Sequence, residues 1–269
     1  REGDVRLLLF AEDTALVVST EVRLQGLVDE VGVVCERRKL KVNVGKSKVM
    51  VCSRGGGRAG LNVRLNGDVL EEVESFKYLG SVISRGGGVS EDVRQRTSEA
   101  AAAYGAMKSI WRERKVGMRV KCALYESIVV PKGTYAAESW GLRVEERKKL
   151  NVMEMNCLRN MCGVTRRDMV NNEVVRRRVG VVKKMEERVD ERVLSWYGHA
   201  ERMNSERMTK RVYESKVDGP RGRGAPPKGW MSGGVKEALK KRGMTIESAK
   251  VVCQNRSEWR AIVYGAGGV

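Results

Sequence analysis

The pattern of apolar and polar positions changes character once along the chain, from short runs to helical spacing. Val5–Phe10 (VRLLLF) and Thr14–Val18 (TALVV) are apolar runs separated by Ala11, Glu12 and Asp13. They predict a β-hairpin, both strands largely buried, with two carboxylates at its tip. From Thr20 to Arg37, Val22, Leu24, Leu27, Val28, Val31, Val34 and Cys35 recur at helical spacing, with Ser19 or Thr20 as N-cap. Leu40–Val44 and Val49–Cys52 read as strands around Gly45-Lys46-Ser47. That tripeptide is not a phosphate loop: Leu40 stands where the motif's first glycine would fall, and no helix follows. Gly55-Gly56-Gly57 and Gly60 mark a flexible loop, and Asn66-Gly67 between LNVRL and DVLEEV signals a type I′ hairpin. Gly86-Gly87-Gly88 then separates this β-rich part from a helical one.

Ser90 is expected to cap a long helix running through Ile110. A second helix, from about Val120 to Val130, should turn Leu124 and Ile128 inward and end before Pro131. A third covers Val144 to Met161, with Leu150, Met153, Cys157 and Met161 on one face. A fourth carries Val182, Met185, Val189, Val193 and Trp196. Methionines at these spacings, and Trp111, Trp140, Trp196, Trp230 and Trp259, read as packing residues. Asp218–Gly229 is a Gly- and Pro-rich extended linker. Trp230–Arg242, Thr245–Val252 and Arg256–Val263 read as short amphipathic helices. The expected fold class is therefore α+β.

Composition narrows the function. The 269 residues allow one large domain or two ordinary ones, and 41% hydrophobic content is enough for a packed core. The net charge of +18 points to a polyanionic partner, most often nucleic acid. There is no run of about 18 apolar residues, so no membrane partner is expected. No leader pattern suggests secretion, and the opening at Arg1 rather than Met suggests a fragment with its beginning upstream. Six scattered cysteines argue against a disulfide framework. Cys157, Cys162 and His199 could meet, but a zinc site would want a fourth ligand, and buried helix cysteines are the plainer reading. His199 is expected in a turn after Trp196, in a packing or hydrogen-bonding role. Two adjacent carboxylates at a hairpin tip repel, and a hard divalent cation such as Mg²⁺ would relieve them; a solvated acidic turn is the alternative. The helical part carries unbalanced charge. Arg112, Arg114, Lys115, Arg119 and Lys121 face only Glu113, and Arg166-Arg167, Arg176-Arg177-Arg178, Arg221, Arg223 and Lys228 follow. These are candidates for phosphate contact, weighed against solvated helix faces.

Seven stretches, in order, resemble reverse transcriptases of non-LTR (LINE-like) retrotransposons. FAEDTAL resembles the F/Y-A-D-D hairpin, LKVNVGKSKVM the segment after it, and FKYLGSVIS the primer-grip hairpin. YAAESW, RNMCGVTRRD, WYGHAERM and GPRGRGAPPKGW resemble the family's Y-G-x-E-x-W, R-x-x-C-G-V-T-R-R-D, W-x-G-H-x-x-R-M and Arg-Gly-Arg-Pro…Trp stretches. The resemblance implies a truncated polymerase palm of β-hairpins plus a helix over residues 1–84 and a mainly α-helical thumb and connection region over 89–218. The basic linker at 219–229 and a C-terminal helical tail at 230–269 complete it. It implies RNA-templated DNA synthesis by two-metal nucleotidyl transfer. Glu12 and Asp13 would be catalytic carboxylates and Mg²⁺ ligands. Lys46 would protonate or stabilise the leaving group, and Tyr78, Leu79 and Gly80 would form the primer grip. An RNA template and a DNA primer would be the partners, and the location nuclear. Glu12 replaces the family's Asp, Ala136 its Gly, and Met169 and Asn171 its usual Arg. About 1 Å of displacement can cost on the order of 10²-fold in rate. The partner Asp of an earlier strand is not in the chain, so the chain alone is expected to be inactive. A non-catalytic nucleic-acid-binding protein, or a decayed or domesticated product with a scaffold role or none, are the alternatives.

Overall fold

A computed structural model describes residues 7–52, 60–181, 183–215 and 229–265. The chain divides at Gly88 into a β-containing unit and a helical unit, where the sequence places its Gly86–Gly88 boundary.

In the first unit β1 (Leu7–Phe10) pairs antiparallel with β2 (Asp13–Leu16), Phe10 opposite Asp13. Ala11 and Glu12 form the turn, Ala11 with φ of 49°. The hairpin forms, but its strands are not buried as the sequence predicts: Leu9 is 67% and Phe10 62% exposed. Neither strand has a second neighbour among the described residues, and only Leu16 packs against the core. Helix α1 (Glu21–Arg37) follows, with Thr20 accepting the Arg23 amide at 3.4 Å. Val28 is buried and Leu24 packs on the core, whereas Val22 and Val34 are exposed. The buried stripe is narrow because the core it meets is small: among the described residues, buried Val49, Val63, Leu65 and Leu70 with a few half-buried side chains around them.

The expected strand at Leu40–Val44 does not form. Lys39 turns left-handed (φ 56°), its amide bonds Glu36, and the Leu40 amide returns to the Cys35 carbonyl at 2.8 Å. This Schellman closure of α1 uses the backbone groups a strand would need. A 3₁₀ turn, Val44–Lys46, follows instead, with Asn43 accepting the Lys46 amide at 3.0 Å. Strand β3 (Lys48–Val49) pairs in parallel with β6 (Glu71–Glu72), while β4 (Arg64–Leu65) and β5 (Asp68–Val69) form a hairpin. Its turn has Asn66 at φ 52° and Gly67 at φ 90°, the type I′ geometry the sequence signals. Gly32 of α1 lies under this turn: a Cβ there would come within 2.9 Å of Asn66 Oδ1. A last hairpin joins β7 (Ser75–Tyr78) to β8 (Ser81–Ser84).

The second unit is helical. Helix α2 (Ser90–Ala106) begins one residue earlier than expected, so Ser90 is its first residue rather than its cap. The Ser90 hydroxyl instead donates to Glu146. The helix breaks at Met107 before α3 (Lys108–Arg112), which lets Trp111 fold back. Its ring stacks on Tyr104 at 4.6 Å and its Nε1 donates to the Tyr104 carbonyl at 2.6 Å. Helix α4 (Met118–Leu124) runs through a π segment, Tyr125–Val129, into α5 (Val130–Gly133). Pro131 therefore does not end this helix; the wider π turn accommodates a residue that cannot donate. Tyr125 and Val129 are the fully buried side chains; Leu124 packs partly buried against the same core as expected, while Ile128 is half-buried and not part of it.

Helix α6 spans Val144–Met161, with Leu150, Met153, Cys157 and Met161 buried as the spacing predicts. Then come α7 (Asn172–Val179), α8 (Met185–Glu201) and α9 (Met208–Glu214). Residue Val182 lies outside the described set, as do the Gly55–Gly57 loop and most of the 218–229 linker. After a π segment at Trp230–Val235, α10 (Lys236–Lys240), α11 (Ile246–Val252) and α12 (Arg256–Tyr264) close the unit. These are not a separate tail. Val235, Leu239, Cys253, Trp259 and Val263 share one core with Leu150, Met185, Val189 and Leu194. Helices this short are marginal alone and gain stability by burying an apolar face. Trp111, Trp140 and Trp259 are fully packed, while Trp196 and Trp230 are half-buried.

Candidate functional site

The tip of the first hairpin carries Glu12 in the turn and Asp13 as the first residue of β2, both exposed. The two-residue turn brings them to the end of the ribbon, and neither has an ion-pair partner among the described residues. Their oxygens are hard donors of the kind Mg²⁺ prefers. Among the described residues, however, no group of three or more His, Cys, Asp or Glu could hold a metal ion. Glu12 and Asp13 are thus two candidate donors at the tip, without a third among the described residues.

Lys46 is exposed at the end of its 3₁₀ turn. Val44 of that turn and Leu16 of β2 pack on the same small core, which ties the lysine's turn and the acidic hairpin to one support. In the last hairpin Leu79 (φ 47°) and Gly80 (φ 87°) make a tight type I′ turn between Tyr78 and Ser81. Both residues of such a turn are left-handed, natural for glycine and strained for leucine.

In the helical unit the cationic candidates separate into two groups. Arg112, Arg114, Lys115 and Arg119 are exposed around the α3–α4 connection. Lys121 is not available with them: it is buried, and its Nζ donates to the Trp111 carbonyl at 2.7 Å. Arg166 and Arg167 are exposed on the α6–α7 loop, and Arg177 and Arg178 on α7. Arg176 is a second correction. It is buried and binds Glu154 at 2.7 Å and Asn151 at 2.7 Å, because its position faces α6 while its two neighbours face outward. Burial raises the Glu154 carboxyl from its ordinary value, against the lowering influence of Arg176. Arg221, Arg223 and Lys228 lie outside the described residues.

Two of the exposed cations, Arg166 and Arg178, lie at the C-terminal end of α6. Trp111, next to Arg112, stacks on Tyr104, whose hydroxyl donates to Asn160 at 2.9 Å. Arg166 reaches Asn156 at 3.4 Å, and Arg178 lies near enough to Cys162 to oppose the burial that raises its thiol pKa. The loop is held by residues the sequence reading did not single out. Arg159 donates to the Val170 carbonyl at 2.6 Å, to Asn172 at 2.8 Å and to the Thr165 carbonyl at 3.2 Å. Asp168 accepts from the Thr165 amide at 2.6 Å and its hydroxyl at 2.8 Å, which holds its carboxyl below the usual 3.8. The signal was present in RNMCGVTRRD, as a Thr-x-x-Asp turn after an arginine.

Other family-like stretches build the scaffold. In YAAESW, Trp140 Nε1 donates to Asp92 at 2.8 Å, and the Glu138 carbonyl accepts from Trp230 at 2.7 Å. In WYGHAERM, Gly198 lies against Trp259, where a Cβ would fall 2.2 Å from Nε1. His199 is not in a turn: it is exposed in the last turn of α8, its ring 5.3 Å from that of Trp196. Burial pushes the Cys157 thiol up to about 12, so it stays protonated in the core.

Comparison with known proteins gives one end-to-end likeness. The chain is 23% identical over 263 residues to an uncharacterized transposon-derived protein of Caenorhabditis elegans, covering 95% of this chain and 94% of that protein. No family model matches the chain, and no solved structure does. No helix among the described residues is long and apolar enough to cross a membrane.

Proposed function

We propose that this chain derives from a transposable element and is the C-terminal part of a non-LTR reverse transcriptase: the end of the palm, the thumb and the C-terminal region. The observation that carries the reading is the tight β1–β2 ribbon with Glu12 and Asp13 exposed at its tip, followed by the Lys46 turn on the same core. The likeness to a transposon-derived protein over 95% of the chain supports the origin. Glu12 and Asp13 are the share of a Mg²⁺ site that this chain would supply; when bound, the ion would offer Lewis-acid stabilisation to a phosphoryl group. Lys46 would meet leaving-group charge, and Tyr78, Leu79 and Gly80 would support the primer end. Arg112, Arg114, Lys115, Arg119, Arg166, Arg167, Arg177 and Arg178 would hold the backbone of an RNA–DNA duplex by neutralising phosphates.

The test is binding of an RNA–DNA template–primer duplex at several salt concentrations, with and without Mn²⁺ as a paramagnetic probe. Affinity should fall steeply with salt, by about 0.9 log unit per log unit of salt for each phosphate neutralised. Mn²⁺ should broaden the resonances of the hairpin tip in the wild type but not in Asp13→Asn. Salt-insensitive or absent duplex binding would remove the reading altogether. Duplex binding without any effect of Mn²⁺ at the tip would favour a second reading, a non-catalytic nucleic-acid-binding protein.

A further inference from the structure

Outside the cationic end of α6, the helical unit holds two confluent clefts of about 750 and 430 Å³ along α8 and α12. They share Ser195, Arg202, Arg256 and Tyr264 as walls. Trp196, His199 and Arg202 all line the larger one. Their spacing of three residues places the named Trp, His and Arg of the WYGHAERM stretch on one strip of the helix. Gly198 and Tyr197 of that stretch serve packing. The Trp, His and Arg have a different surrounding: Trp196 is half-buried, His199 exposed, and Arg202 Nε is buried with no hydrogen-bond partner among the described residues.

The charge of the clefts is not balanced. Glu126, Glu138 and Glu191 line the larger one, but each is paired: with Arg188 at 2.5 Å, Arg192 at 3.8 Å and Lys183 at 2.6 Å. The Arg202 guanidinium donates to the Cys253 carbonyl and has no acidic partner among the described residues. Arg256 and Arg260, exposed on α12, have no acidic partner among the described residues. The amides of Ser257 and Glu258 are already taken by Asn255, so guanidinium groups rather than the helix end are what the clefts offer an anion.

We infer that this groove binds a single strand of nucleic acid, with an unpaired base against Trp196 and His199 and the phosphates on Arg202, Arg256 and Arg260. Aromatic faces beside unmatched guanidinium groups are the elements of single-strand recognition, where stacking is indifferent to sequence and the backbone supplies the anion. An acidic peptide would meet the same arginines but would leave the aromatic pair without a planar partner. The inference goes beyond the polymerase reading and concerns a surface that the duplex-binding residues do not share.

The test uses the full chain and a uridine 12-mer carrying one 5-iodouridine. Photocrosslinking should attach it to Trp196 or His199. Arg256→Ala/Arg260→Ala, and separately His199→Ala, should weaken 12-mer binding at least fivefold with unchanged thermal unfolding, while RNA–DNA duplex affinity stays as in the wild type. Crosslinks confined to the Arg166–Arg178 region, or loss of duplex and 12-mer affinity in equal measure, would overturn the inference. So would full competition by poly-glutamate together with no crosslink in the groove, which would mark a site for an acidic protein. A chain that fails to bind duplex but crosslinks in the groove would sink the polymerase reading alone.

Discussion

Within one run of three arginines the side chains have opposite fates. Arg176 is held between Glu154, Asn151 and Glu173, whereas Arg177 and Arg178 face out. Arg176→Ala leaves Glu154 buried without its partner, and breaking a buried pair from one side costs about 3–5 kcal/mol. Urea unfolding should show that loss, while Arg177→Ala/Arg178→Ala should leave the midpoint unchanged and weaken duplex binding instead. Equal stability of Arg176→Ala and wild type would show that the pair contributes nothing to the fold. Asp168 gives a pH prediction of defined sign. The Thr165 amide, then its hydroxyl, stabilise the charged carboxylate and lower its pKa in the folded state. The order this contributes to the Arg166–Arg167 loop is present above 3.8 and lost as pH falls through the lowered value. In a carboxyl-carbon NMR titration Asp168 should titrate below 3.8, and Thr165→Val should move it part of the way back. No movement would mean that the hydroxyl does not hold the carboxylate.

At the scale of elements, turns were the most legible feature and strand burial the least. Asn66-Gly67 declared its own geometry because those residues adopt left-handed φ at little cost. Tyr78-Leu79-Gly80-Ser81 adopts a similar turn with a leucine at φ 47°. A left-handed non-glycine residue costs about 1–2 kcal/mol. Leu79→Gly should therefore raise the stability of the first unit by roughly 1 kcal/mol in chemical denaturation; a decrease would show that Leu79 packing outweighs its backbone strain. Helix α6 was readable to the residue because its buried stripe repeats over five turns. The failures have local causes. Leu40–Val44 is apolar enough for a strand, but its first residues finish α1 by a Schellman closure. Pro131 stops most helices, and here a π turn carries the chain past it.

At the scale of the whole molecule, the second unit is closed by its last helices. Trp259 donates to the Leu194 carbonyl at 3.0 Å and packs over Gly198, and Arg242 donates to the carbonyls of Ile262 and Val263. A chain ending after Ser215 should thus lose cooperative unfolding of the helical unit, seen as a broad thermal transition and collapsed near-ultraviolet dichroism. A sharp transition in the shortened chain would restore the separate tail that the sequence suggests. The net charge of +18 belongs to this scale as well, since it acts on association with polyanions rather than on the fold.

By itself the sequence determined most of the helices, the Gly88 boundary, the hairpin that carries Glu12 and Asp13, and the stretches to test as sites. Those follow from local periodicity and turn chemistry, which act within a few residues. Tertiary structure decided which cations are available, because burial of Lys121 and Arg176 depends on partners 10 and 22 residues away. It also decided that the final helices join the main core. Nor could the groove beside Trp196, His199 and Arg202 be read from spacing, since its far wall is α12, more than fifty residues further along the chain.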